Sequence, residues 1–269
     1  MDNTERKKFH ETFYNRDGGF PADLSEALPK SICKFYGNKG YAIEAVKNDI
    51  LYLSRPDAFN DPFDSALNLD YLAIIKEREI QNGIRYKKNA KKEYIETMEV
   101  LDSKIKQELF IGCLGEEKCV FSNLMWANYA HNHEGFCVEY NFITAFDLLQ
   151  KEGYVLWPVY YTDTYRVPII FEEEDKFKYY LSAFCTKALC WEGEFEWRII
   201  KSIDTGAARY SAKIGIPESI YIGCRAGDYL KKRLKKICAG KHIKLYQMEI
   251  AKNSYKLSGK LICDNAPCR

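Results

Sequence analysis

WEGEFEWRIIKS, residues 191–202, threads three glutamates and an arginine among two tryptophans and a phenylalanine. Taken as a β-strand, its side chains alternate between two faces. Glu192, Glu194, Glu196 and Arg198 then line one face, and Trp191, Phe195 and Trp197 the other. The plain reading is an edge strand with a solvated polar face and Arg198 paired to Glu196. Three like charges at two-residue spacing repel, however, and a solvated face does not require large aromatics behind it. An apolar wall with carboxylates opposite it is suited to tuning a general base or stabilising a developing cation.

Elsewhere in the chain, ICKFYG (32–37), DILYLSR (49–55), LFIGCL (109–114), KCVFS (118–122), GFCVEYN (135–141), VLWPVYYT (155–162), IPESIYIGC (216–224) and IKLYQMEI (243–250) read as short strands. Tyr94, Ile95, Met98, Leu101, Ile105 and Leu109 recur at helical spacing and mark 71–109 as helical. NLMWANYA (123–130) reads as a short helix, 175–190 as another after the acidic loop FEEEDKF, and the region around 228–238 as a basic helix. Strands outnumber long helices and do not alternate with crossover helices. The expected class is α+β, with a mainly antiparallel sheet flanked by helices. One domain over 1–269 is expected, with a core of about 30–250, a polar lead-in over 1–27 and a loose tail over 252–269.

The chain is 46% hydrophobic and 14% aromatic, which supports a sizeable core and excludes a disordered chain. Lys+Arg 40 against Asp+Glu 38 leave +2, so bulk charge exerts no pull toward nucleic acid or a membrane. MDNTERKKFHETFYNRDGG lacks an apolar signal region, and no apolar run approaches the roughly 18 residues of a membrane span. The ten cysteines form no CxxC pair, so reduced thiols in a cytoplasmic chain are expected, with no metal site. GxGxxG and GxxxxGK[ST] are absent.

Two further stretches carry candidate chemistry. SRPDAFNDPFD (54–64) is turn-like, since Asn and Asp cap backbone amides and Pro fixes φ, but it also presents Arg55 and Asn60 to a ligand. MWANYAHNHEGF (125–136) sets Trp126 and Tyr129 at helical spacing, ordinarily a packing pattern, next to His131 and His133. His133 at a strand start is placed to act on a substrate hydroxyl. KKRLKKICAGK (231–241) reads as a solvated helix face, with a phosphate or RNA contact as the alternative.

In the order LYLSRPDAFNDPFD, LMWANYA-x-NH-x-GFCVEY, W-x-x-E-x-E-W-R, the chain resembles a bacterial family known as domain of unknown function 2971, from about 30 to 250. It is similar, more distantly, to the ADP-ribosyltransferases. That resemblance implies a split antiparallel sheet and an NAD-consuming, toxin-like effector of phage defence or abortive infection, either transferring ADP-ribose or hydrolysing NAD. It makes Glu194 and Glu196 the E-x-E pair, with Glu196 the catalytic carboxylate. It gives Arg55 or Arg198 the NAD phosphates, Trp126 and Tyr129 the stacking surfaces, and His133 a ribose; Asn60 joins the binding loop. The implied acceptor is a protein or nucleic acid, and a toxic activity calls for an inhibitory or sensor partner. Two departures stand out: CKFYGNKG lacks the arginine of the family's first-strand segment, and CLGE (113–116) replaces a CFS-like strand. Two other readings remain. One is a magnesium- or manganese-dependent phosphodiesterase using Asp61, Asp64, His131, His133 and the glutamates, with RNA on the basic helix. The other is a non-enzymatic sensor module whose glutamates form a structural charge network.

Overall fold

The computed structural model describes residues 1–14, 26–65, 70–164, 181, 183–203 and 206–264. Strand β3 (Leu109–Glu116) organises it. Along one edge runs β8 (Glu196–Ser202), antiparallel, from Leu109↔Ser202 to Gly115↔Glu196. Two different strands meet the other edge: β2 (Ile50–Ser54) at Ser54↔Ile111, and β1 (Ser31–Tyr36) at Cys33↔Gly115 and Ile32↔Glu116. Ile111 also faces Ile200 and Gly115 also faces Glu196, so β1 and β2 share the edge opposite β8. On that edge the sheet forks.

From β1 the sheet continues through β4 (Phe136–Asn141), β10 (Ser219–Ile222), β11 (Lys244–Ile250) and β12 (Leu257–Cys263). From β2 it continues to β9 (Arg209–Lys213), and β5 (Val155–Pro158) lies beyond β8. Its pairings are antiparallel except β10 with β11. A separate parallel pair joins β6 (Tyr160–Tyr161) to β7 (Thr186–Lys187). The α+β class with a mainly antiparallel sheet is therefore as expected.

Period-two alternation sends Ile32 and Tyr36 into one core and Cys33 and Phe35 into another. In the first, α2 (Gly40–Lys47) buries Ala42, Ile43, Ala45 and Val46, an amphipathic pattern one helical turn apart. Helix α6 (Phe142–Lys151) starts where the Asn141 side chain accepts from Thr144 N at 3.1 Å, and buries Phe142, Ala145 and Leu149. Helix α7 (Asp228–Lys241) adds Leu230, Leu234 and Cys238 to the same core. In the second, α5 (Asn123–Tyr129) packs Met125 and Trp126 against Cys33, Phe35 and Cys137. Among the described residues, no helix is long and apolar enough to cross a membrane.

Several expectations need correction. In place of a polar lead-in, Asn3–Tyr14 forms helix α1. Asp2 and Glu5 cap it reciprocally (Asp2 N to Glu5 Oε2, 2.7 Å; Glu5 N to Asp2 Oδ1, 2.8 Å), a local signal that outweighs the stretch's polarity. Phe9 of α1 is fully buried, with ring centroids 4.6 Å from Trp157 and 6.2 Å from Trp197. Such aromatic pairs contribute about 0.5–1.5 kcal/mol beyond their area. Within the expected loose tail, Leu257–Cys263 is a strand, because β11 offers it an open edge. KCVFS does not form a strand: Glu117–Phe121 is a 3-10 turn. The expected helix over 175–190 lies outside the described residues at 175–180 and 182; beyond them, Thr186–Lys187 is a strand. The loop FEEEDKF and residues 15–25 and 265–269 also lie outside the described residues.

The opening stretch is itself only half a strand. Leu189–Glu194 is a 3-10 helix, Phe195 takes a left-handed conformation at φ 43°, and extended structure begins at Glu196. A strand needs ladder partners, and those of β8 begin there, at Gly115 of β3 and, one residue on, at Pro158 of β5. A left-handed aromatic residue is uncommon and costs on the order of 1–3 kcal/mol, which the surrounding contacts must offset.

Candidate active site

Where β1 and β2 diverge from β3, they leave a cleft of about 370 Å³. Cys33, Lys34 and Phe35 of β1 form one wall, and Tyr52 and Ser54 of β2 the other. Ile111, Cys113, Leu114 and Gly115 of β3 supply the floor, and Met125, Asn128 and Tyr129 of α5 overhang it. A side chain at Gly115 would put its Cβ 2.7 Å from Cys119 Sγ and 3.2 Å from Glu194 O, so glycine is what lets the 3-10 turns close over β3 here.

At one end stand Lys187, Glu194 and Glu196, with Asp64. The Lys187 ammonium lies 2.6 Å from Glu194 Oε2, 3.3 Å from Glu196 Oε2 and 3.5 Å from Asp64 Oδ2. Arg198 grips Glu196 with two nitrogens, Nε to Oε1 at 2.8 Å and Nη2 to Oε2 at 3.3 Å, and Nη2 also reaches Asp64 Oδ2 at 2.7 Å. Tyr129 OH donates to Glu194 Oε1. Glu196 N donates to the Tyr161 hydroxyl at 2.7 Å, and Arg6 of α1 donates to Glu196 O at 2.6 Å. With all five charged groups ionised, three carboxylates against two cations leave the cluster at −1.

These surroundings push the two glutamates apart. Burial opposes ionisation of Glu196, but Arg198 and then Lys187 overcome it and hold its pKa at about 2, down from 4.5. At Glu194, burial and then the Glu196 charge dominate; Lys187 and Tyr129 pull the other way, and its pKa ends above the usual carboxylate value. Lys187 is penalised by burial yet held firmly charged by Glu196, Glu194 and Asp64. Burial and then Glu194 drive the Tyr129 phenol up, so it stays a donor.

A consequence for acid stability follows. The folded pKa of Glu196 is the depressed one, so its contribution is complete above 4.5 and is lost as pH falls toward about 2. The thermal midpoint should drop across this window, and Glu196→Gln should flatten the drop; an equally steep loss in the variant would assign it to other carboxylates.

The other sequence-derived candidates distribute unevenly. Tyr129 and Asn60 line the cleft with the two glutamates. Arg198 is fully buried and spends its guanidinium on Glu196, Asp64, Ser65 Oγ (3.1 Å) and Phe184 O (2.6 Å), so it is not a surface for phosphates. Arg55 does not line the cleft either; its guanidinium lies over the Phe110 ring at 5.7 Å. Trp126 is fully buried, bonded through Nε1 to Val120 O at 2.6 Å and packed edge-on to Phe35, which leaves it no face for a ligand ring. His133 stacks on Trp126 at 6.3 Å, away from the cleft, and burial and then Arg225 lower its pKa. His131, Asn132 and His133 all have left-handed φ (48°, 54° and 67°). Asn and His are among the non-glycine types that tolerate this region, so backbone conformation accounts for HNH. Glu192 belongs to the 3-10 turn and does not line the cleft.

Three site residues escaped the sequence reading: Lys187, Tyr161 and Lys34. Lys187 and Tyr161 are brought in by the β6–β7 pair, whose two-residue strands give no periodic signal. Lys34 looked like one polar residue in an apolar strand; it reaches across the fork to donate to Cys113 O at 2.8 Å, and no described carboxylate pairs with it. For the phosphodiesterase reading, no group of three or more His, Cys, Asp or Glu among the described residues could hold a metal ion. Asp61 Oδ1 caps Phe63 N, His131 is exposed beside Glu134, and the basic helix α7 packs on the core containing Ile32, whereas Cys33 and Phe35 wall the cleft.

Residues 125–199 match a family described as protein of unknown function (DUF2971). The span runs from α5 into β8 and includes Tyr129, Lys187, Glu194, Glu196 and Arg198, while Lys34 and Asp64 fall outside it. No curated protein and no solved structure matches the chain.

Proposed function

We propose that the cleft cleaves the N-glycosidic bond of NAD, passing ADP-ribose to a macromolecular acceptor or to water. The observation that carries this reading is the Glu194–Glu196 pair: two carboxylates sharing one ammonium at the end of a cleft, one held ionised and the other shifted up. Paired groups driven apart in this way divide the roles of base and charge stabiliser. Departure of neutral nicotinamide with the bonding electrons leaves positive charge on the ribose. A cluster of net charge −1 anchored by Glu196 stabilises that charge where it develops. Glu194, with a pKa nearer neutrality, takes the proton from the attacking hydroxyl as the new C–O bond forms. The pyrophosphate falls to Lys34, the lining cation that no described carboxylate neutralises, in place of Arg55 and Arg198. Tyr52, Phe59 and Tyr129 supply aromatic surface along the same cleft. On this reading the activity is that of a toxin-like effector of phage defence, kept silent by a partner.

The test is to incubate the purified protein with labelled NAD, with and without cell lysate, and follow free nicotinamide and label on protein or nucleic acid. Nicotinamide release supports the reading, and the labelled species identifies the acceptor class. Folded protein that releases none, with or without lysate, removes NAD as the substrate.

A further inference from the structure

The least expected group at the carboxylate pair is Lys187, on a two-residue strand that contributes nothing to the main sheet. Its Nζ is enclosed by the three carboxylates, and the Trp191 ring centroid lies at 4.8 Å. These partners come from three separate segments: Asp64 from the turn after β2, Glu194 and Trp191 from the 3-10 helix, and Glu196 from β8. Glu194 and Glu196 stand on either side of a left-handed residue, so the backbone alone does not impose the alternation that would keep them together. An ammonium bonded to both does. The strand that carries it is tied to the same place, because Tyr161, paired with Lys187 across β6–β7, receives the Glu196 N–H.

We propose that Lys187 is the positioning residue of this site, holding Glu194 and Glu196 side by side and facing the cleft. The inference rests on the cleft being where the reaction occurs. Lys187 is too enclosed and too firmly charged to act as a nucleophile. Its single charge, set between two carboxylates that Arg198 serves unequally, keeps the second one from taking up a proton merely to escape the first. The groups facing it are Asp64, Glu194, Glu196 and Arg198, with Tyr129, Tyr161 and Cys113 around the glutamates.

The experiment follows the Glu194 and Glu196 side-chain carboxyl carbons by NMR through a pH titration of ligand-free protein, assigned with the Gln variants, for wild type, Lys187→Met and Lys187→Arg. Loss of an opposite charge at hydrogen-bond distance should raise the Glu194 titration by about 1–3 pH units in Lys187→Met. The acid limb of kcat/KM for nicotinamide release should move with it, and Lys187→Arg should restore both. If Lys187→Met does not fold, Lys187→Gln, neutral but still a donor, should show the same rise. An unshifted Glu194 titration in a folded neutral variant overturns the proposal. Because the titration needs no substrate, it decides the role of Lys187 even if wild type leaves NAD intact; that outcome would remove only the NAD reading.

Discussion

Arg198→Met should lower the unfolding free energy by about 3–5 kcal/mol, a large share of the roughly 5–15 kcal/mol typical of a domain. The side chain is fully buried, and its guanidinium is the bidentate partner of Glu196 and the 2.7 Å partner of Asp64. Methionine fills similar volume but leaves three buried carboxylates to one lysine, and uncompensated buried charge is what makes removal of one partner costly. Urea denaturation should report a lower midpoint at unchanged slope. A variant as stable as wild type that binds NAD more weakly would return Arg198 to the ligand role the resemblance implies for it.

The second large effect separates the two glutamates. Glu194→Gln should reduce nicotinamide release by about 10²–10⁴-fold while the protein stays folded, since glutamine retains an acceptor for Tyr129 but cannot take up a proton. Lys187 would keep Glu196 and Asp64 as partners. Glu196→Gln should lose turnover and stability together, because Glu196 is at once the charge stabiliser and the main partner of Arg198. Comparing kcat/KM with the urea midpoint for both variants reads the split directly. Full turnover in Glu194→Gln would remove it as base and leave the chemistry to Glu196 alone.

How much was legible follows from the range of the interactions. The α+β class could be read because apolar runs bounded by turn residues are local signals, and β1, β2, β4 and β11 form within a residue or two of where those runs lie. The E-x-E pair could be read because carboxylates flanked by tryptophans are conspicuous in a single window. Misreadings came where a local pattern served two ends. Trp126 and Tyr129 share helical spacing, yet one faces a core and the other the cleft; that depends on which side α5 presents to β1. Arg198 alternates like a binding residue, but Asp64, Ser65 and Phe184 from distant segments cover that face of β8, so its guanidinium is interior.

The strand-rich character and the pair Glu194 and Glu196 lie in the sequence, as does the 75-residue span around that pair that matches a family model. What surrounds that pair is set by tertiary contacts. Lys187, Arg198, Asp64 and Tyr129 converge on it from separate elements, and Asp64 lies 134 residues from the arginine it binds. Charge pairing at 3 Å depends on position in space, which a linear pattern does not encode. The fork between β1 and β2 is likewise a property of register: it exists because one strand meets β3 at Ile111 and the other at Gly115.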